Sequence, residues 1–542
     1  MTPRMIWEGF DPALPAGAEF TEKSKTPNDG FSVVDGVLDA LSADDGVVSV
    51  FVRTFLSEKP NDTMIILASD YRRLPDTSIL EVMANLGYDA MIPNLDGRMG
   101  TSYPPSLRHG DIDRAPRPAT PFVPATETAT FLYARIMRRM ISFAERYYPN
   151  KKIIMCGVGA AADVAFMTAG MDTRVAGLFT VNGGSYKEYL PYQKYGGAPQ
   201  PVLSEEFMAW MSGVAAAAYA KLVTCPTIIF ASTNGHKTDP DRAENAVALF
   251  KKGVLHVDIS PRAMDFIDHH AFSSMLVWLS AVRSNGFLPE MPEISAHISE
   301  EGALYLTATV DTSAMIDGVD FYYSTGEYNH LLREWSHVDG LQFGANEYTA
   351  RPAILDTTQP LFAYARVRYS NGFTLSSVLH YQELGGKNVV AASNRNRRVI
   401  YNPDEGESTF SIVYKGDILR FPAVEACTIH SGARGVRAKF GYLKSYKLGS
   451  KTTQQQEMLL LIDMHCETDT DVTVVLCGYK DRIMTRYAAD IRVAGCGGYF
   501  VRTQFSLQEF VDERLKSPES WREIKTITFE AQGLTIGNML FI

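Results

Sequence analysis

Cysteine is scarce: six residues in 542, scattered and with no Cys-x-x-Cys pair, which excludes a zinc ribbon and a disulfide framework. No apolar stretch approaches the length of a membrane span, so no membrane partner is expected. No block of Lys and Arg stands out against a net charge of −10, which argues against nucleic acid or an anionic membrane surface as a partner. The start, Met1 to Glu8, carries no leader pattern, and cytoplasmic is the expected location. The turn Gly183-Gly184-Ser185 lacks the Gly-Lys-Ser/Thr ending of a phosphate loop, and Gly157-Val158-Gly159 lacks the acidic partner of a dinucleotide fold. No metal-ligand spacing and no Asp-rich loop is seen, so neither a metal nor a cofactor is expected.

Apolar material is plentiful, at 46% of the residues, and the chain is too long for one core. It divides by pattern into three expected domains: residues 1–288, 289–384 and 385–542. In the first, strand runs such as Met64 to Ala68, Ile153 to Cys156, Val175 to Val181, Thr227 to Phe230 and Leu255 to Ile259 alternate with helical segments. That alternation predicts an α/β domain with a mostly parallel sheet covered on both faces. An insertion at about 185–225, with a helix around Trp210, reads as a cap or as an extra packing helix. After Pro289 period-two strands dominate, and they predict an Ig-like sandwich followed by a jelly roll that starts in the Gly/Asn/Arg-rich stretch from 385.

The segment Ile153-Ile154-Met155-Cys156-Gly157-Val158-Gly159-Ala160-Ala161 is a buried strand, a turn of small residues and a helix start. It resembles the nucleophile elbow, Gly-x-Ser-x-Gly, of α/β-hydrolases, and the resemblance covers about residues 30–285. Gly159 then stands where the attacking serine belongs, and glycine has no atom that attacks a carbonyl. Taking Cys156 as nucleophile instead puts bulky Ile154 at a position that must be small. The resemblance implies an acid after Thr227 to Phe230, where Gly235 takes its place and Asp239 or Asp241 are the nearby carboxylates. It implies a base just before the last helix, where His270 fits best and His269 second. It also implies an oxyanion hole from the backbone N–H of Ala160 and of a residue among Ser69, Asp70 and Tyr71, and backbone donors survive the loss of side chains.

The β-domains resemble those that follow the core in acetyl-xylan-esterase-like and dienelactone-hydrolase-like bacterial proteins, and in the X-prolyl peptidase and cocaine-esterase group. This implies a small-molecule or carbohydrate ligand. In the last domain Tyr442, Tyr446, Tyr479, Tyr487 and Trp521 are candidate sugar platforms, weighed against the plainer reading that strand tyrosines belong to the core. Three functions stay open: a degenerate esterase that binds or scaffolds, an atypical hydrolase of acylated carbohydrates or small esters, and an interaction protein acting through its β-domains.

Overall fold

The apolar runs of the first half become strands of one nine-stranded sheet. These are β1 (Phe20–Asn28), β2 (Phe31–Ala43), β3 (Gly46–Ser57), β4 (Thr63–Ala68), β5 (Asp89–Pro93), β6 (Lys152–Val158), β7 (Val175–Val181), β8 (Thr227–Ser232) and β9 (Leu255–Ser260). The computed structural model describes residues 2–68, 77–107, 109–110, 123–184, 189, 192–263, 267–392, 398–406, 409–413, 423–448, 458–480 and 483–542. The spatial order is β1-β2-β3-β5-β4-β6-β7-β8-β9. From β5 to β9 neighbours run parallel, while β1, β2 and β3 form an antiparallel meander and β3 lies antiparallel to β5. β4, β5, β8 and β9 are buried at every residue, as parallel strands covered on both faces must be. β1 is the opposite: exposed, with Lys23, Lys25 and Pro27, residues that discourage pairing at an open sheet edge.

Helices α1 (Pro3–Ile6), α2 (Ser78–Asn85), α3 (Ala129–Tyr147), α4 (Ala162–Met171), α5 (Glu205–Val214), α6 (Ala216–Ala220), α7 (Ala243–Val247) and α8 (His269–Ser284) accompany the sheet. α3 and α4 pack on one face, α2 and α8 on the other. Thr128 caps α3: its hydroxyl accepts the Phe131 N–H at 3.2 Å. The Trp210 helix of the insertion is α5, and Ala216 to Ala218 lie in a separate short helix, α6. Among the described residues no helix is long and apolar enough to cross a membrane.

The second half is antiparallel. Strands β10 (Glu293–Ile298), β11 (Leu304–Thr309), β12 (Ile316–Thr325), β13 (Ser336–Asp339), β14 (Leu341–Gln342), β15 (Glu347–Ala350), β16 (Leu361–Tyr369), β17 (Thr374–Ser376) and β18 (His380–Gln382) form two sheets, β10-β11-β15-β14 and β13-β12-β16-β17, with β18 on β16. The strands between Val399 and Phe541 form two further sheets around their own core, with no residue of the other cores in it. The two cores of the first unit, by contrast, run without a break into the second unit, through Trp335, Phe362 and Tyr364 on one face and Leu361, Ala363 and Ala365 on the other.

Candidate active site at the strand-helix elbow

β6 ends at Val158, a single 3-10 turn spans Gly159–Ala161, and α4 follows at once. Gly159 has φ +59°, the left-handed conformation of a sharp turn between strand and helix. The neighbours are small because the helix lies so close. A Cβ on Gly157 would fall 2.6 Å from Ala162 Cα and 2.8 Å from Ala165 Cβ, and one on Gly183 would fall 2.0 Å from the Gly159 carbonyl oxygen. Ala161 is fully buried. Strand order, crossovers and elbow coincide. The core has the α/β-hydrolase fold.

No protein-family model and no curated protein matches the chain. Solved structures do. An acetyl xylan esterase from Paenibacillus sp. R4 aligns at 14% identity and TM-score 0.39, over 52% of this chain and 92% of that one. Acetyl xylan esterase 1 from Thermoanaerobacterium sp. JW/SL YS485 aligns at 8% and 0.35, over 52% and 99%. A glucuronoyl esterase from Solibacter usitatus aligns at 12% and 0.36, over 51% and 90%. The fold rests on the strand order and the elbow, not on these alignments.

Gly159 and Ala160 are both partly exposed at the head of the turn. Asp70 and Tyr71, the expected source of the second backbone donor, lie outside the described residues. Cys156 is fully buried, and burial pushes its thiol well above the usual range, so no thiolate forms there.

The loop after β8 is occupied by the second unit. Gly235 is buried, and its carbonyl oxygen lies 3.0 Å from His330 Nε2. Next to it Asn234 Nδ2 donates to the carbonyls of His330 at 2.8 Å and Arg333 at 3.0 Å. Asp239 is 3% exposed and paired with Arg242, and burial followed by the charge of Asp241 raises its pKa. Asp241 holds the fully buried Arg333 with both carboxylate oxygens. Both carboxylates near the acid position are thus bound to arginines.

The loop after β9 is held in the same way. Asp268 caps α8, accepting the Ala271 N–H at 2.8 Å. It also takes Arg366 Nη2 at 3.0 Å, and the same guanidinium reaches the fully buried Asp258 at 2.8 Å from Nε and 3.0 Å from Nη2. His269 is exposed and His270 half-buried, their rings 3.9 Å apart. Burial first, then the charges of His269 and Arg366, lower the His270 pKa, and the carboxylate that acts on it is Asp268, not Asp239. The imidazole is therefore neutral near pH 7 and has the protonation state of a base, with no hydroxyl at Gly159 to act on.

Sequence reasoning missed Asn182, at the end of β7 beside the elbow. It is 2% exposed with φ +50°, and its amide nitrogen is buried. The available signal was Asn before Gly183-Gly184, a triplet suited to left-handed turns. It also missed Asp320, His337 and Asp339, whose ligand atoms lie within 4.8 Å of one another on β12 and β13. Arg368 Nε already sits 2.8 Å from Asp320 there, a charge opposed to a cation. In the last domain the sugar-platform expectation fails for two of its aromatics. Trp521 and Tyr446 are 2% and 5% exposed, and the Trp521 indole N–H is spent on the Met458 carbonyl at 2.9 Å. Tyr487 packs against the core, and Tyr479 takes a hydrogen bond from Gln193 of the insertion.

Proposed function

We propose that this chain is a degenerate esterase: a binding protein built on a hydrolase frame, whose elbow holds an acyl or carboxylate oxygen of a small-molecule or carbohydrate ligand without turning it over. One observation carries this reading: a glycine at φ +59° where an attacking side chain is required. What remains is the Ala160 N–H at the start of a turn that runs into the ten-residue α4, and such a helix start favours oxygen acceptors and anions.

The test is exposure of the full chain to p-nitrophenyl acetate and to a fluorophosphonate probe, beside a heat-denatured sample. Neither turnover nor labelling above the denatured sample is expected. Labelling that maps to one side chain near the elbow sinks the reading in favour of an atypical hydrolase.

A second reading, a platform for the β-domains, draws on Arg333 and Arg366, which tie the second unit to the two loops where a hydrolase keeps its acid and base. The two readings are compatible, because neither arginine enters the elbow turn.

A further inference from the structure

The elbow has a neighbour that the fold leaves half-satisfied. Val158 pairs with Val181, so Gly159 and Asn182 leave their parallel strands side by side, both in the left-handed region. Asparagine tolerates that region better than most residues because its short amide bonds locally. The turn behind it is packed tight. A Cβ on Gly184 would fall 2.3 Å from the Phe166 ring, and Thr180 Oγ1 donates to the Gly183 carbonyl at 3.0 Å. Asn182 is thereby held against the elbow.

Two of its polar groups are bonded. Its backbone N–H donates to the Phe230 carbonyl at 2.8 Å, and its Oδ1 accepts from Ser232 Oγ. Its Nδ2, with two donor hydrogens, is buried and has no hydrogen-bond partner among the described residues. Turning the amide over would only leave the oxygen in that position instead. A buried donor of this kind takes an ordered water or a ligand oxygen as its partner.

We propose that Asn182 Nδ2 is the side-chain donor of the elbow site, forming with the Ala160 N–H a two-point cradle for the oxygen of a carboxylate or acyl group. The assignment rests on the ligand-binding reading of the elbow. Two donors at neighbouring strand ends suit the two oxygens of a carboxylate, or the two lone pairs of one carbonyl. An Asn side chain, unlike Lys or Arg, brings no charge, so neutral acyl groups fit as well as anions.

Crystals of the full chain soaked in acetate, and in parallel in acetamide, test this. The expected result is a ligand oxygen within hydrogen-bond distance of both Asn182 Nδ2 and Ala160 N. Acetamide in the cradle as well as acetate points to an acyl ligand, and acetate alone to an acid. In solution, Asn182→Gly keeps the left-handed turn and removes the amide, and acetate affinity should fall about ten-fold, the weight of one charge-assisted hydrogen bond. Asn182→Asp, similar in shape but an acceptor, should weaken acetate at least as much and serves if the glycine variant does not fold. An oxygen at Ala160 N alone, with affinity unchanged in the variants, overturns the role of Asn182 and leaves the binding reading standing. No ligand in either soak and no acetate affinity in the native chain overturns both.

Discussion

At the scale of single residues the elbow is defined by what it has no room for. The first consequence concerns Gly157, whose added methyl would meet backbone at 2.6 Å and not a movable side-chain tip. Gly157→Ala should therefore destabilise the core by about 1–3 kcal/mol, the usual range for overpacking, read as a lower urea midpoint at unchanged slope. An unshifted midpoint refutes the close approach of α4 to β6. The second consequence concerns His256, which is 4% exposed with Nε2 3.1 Å from the Pro289 carbonyl. Burial, opposed in part by that hydrogen bond, lowers its pKa below the usual 6.5. The unfolded chain then takes up this proton before the folded one. Stability from this group is full above about pH 6.5 and is lost as pH falls toward the lower folded value. Thermal midpoints should decline from pH 7 to pH 5, and decline less in His256→Gln. Half-buried His270, shifted in the same direction, adds to the same limb. Parallel profiles for native chain and variant would show that His256 is not the group responsible.

At the scale of elements, the N-terminus of α8 does two jobs through one side chain, since Asp268 both caps the helix and holds Arg366. Asparagine caps about as well as aspartate, so Asp268→Asn isolates the loss of charge, and Asp268→Ala should cost about 1 kcal/mol more. Arg366→Met leaves Asp258 and Asp268 without their cation and should cost about 3–5 kcal/mol. Because both substitutions cut the same pair, Asp268→Asn and Arg366→Met should be strongly non-additive in urea denaturation. Additive losses mean that the two side chains do not act on each other. Elements of this kind also mark how far a sequence can be read. The buried strands β4, β6, β7, β8 and β9 announce themselves as apolar runs, and the elbow as a cluster of small residues at a strand end. The exposed strand β1 does not, because its Lys, Ser and Thr look like a loop. Nor do Arg333 and Arg366 declare themselves: each finds its carboxylates some 90 or more positions away, and no local pattern encodes such a partner. The turn at Gly159 could be read from the small residues around it, while the docking of the second unit onto the loops that carry Gly235 and Asp268 needed coordinates.

At the scale of the molecule, apolar continuity sets how the chain should unfold. Trp335, Phe362 and Tyr364 lie in the same core as Phe166 and Leu178, and Leu361 and Ala365 in the same core as Phe179 and Trp278, so the first two units share their buried surface. The third has a separate core from Ile400 to Phe541, and polar contacts such as Lys525 with Glu327 at 3.4 Å and Tyr479 with Gln193 tie it to the others. Partly exposed ion pairs contribute little. Two cooperative transitions are therefore expected in calorimetry of the full chain, one for the hydrolase core with its first β-unit and one for the last domain. Arg366→Met should lower the first alone. Trp521→Ala, which empties a site in the separate core, should lower the second alone, by the equivalent of about 3–5 kcal/mol. A single transition that moves in both variants would mean that the contacts at Gln193 and Lys525 couple the third core to the rest. Three transitions would mean that the buried surface shared across Arg366 is too weak to make one cooperative unit of the first two.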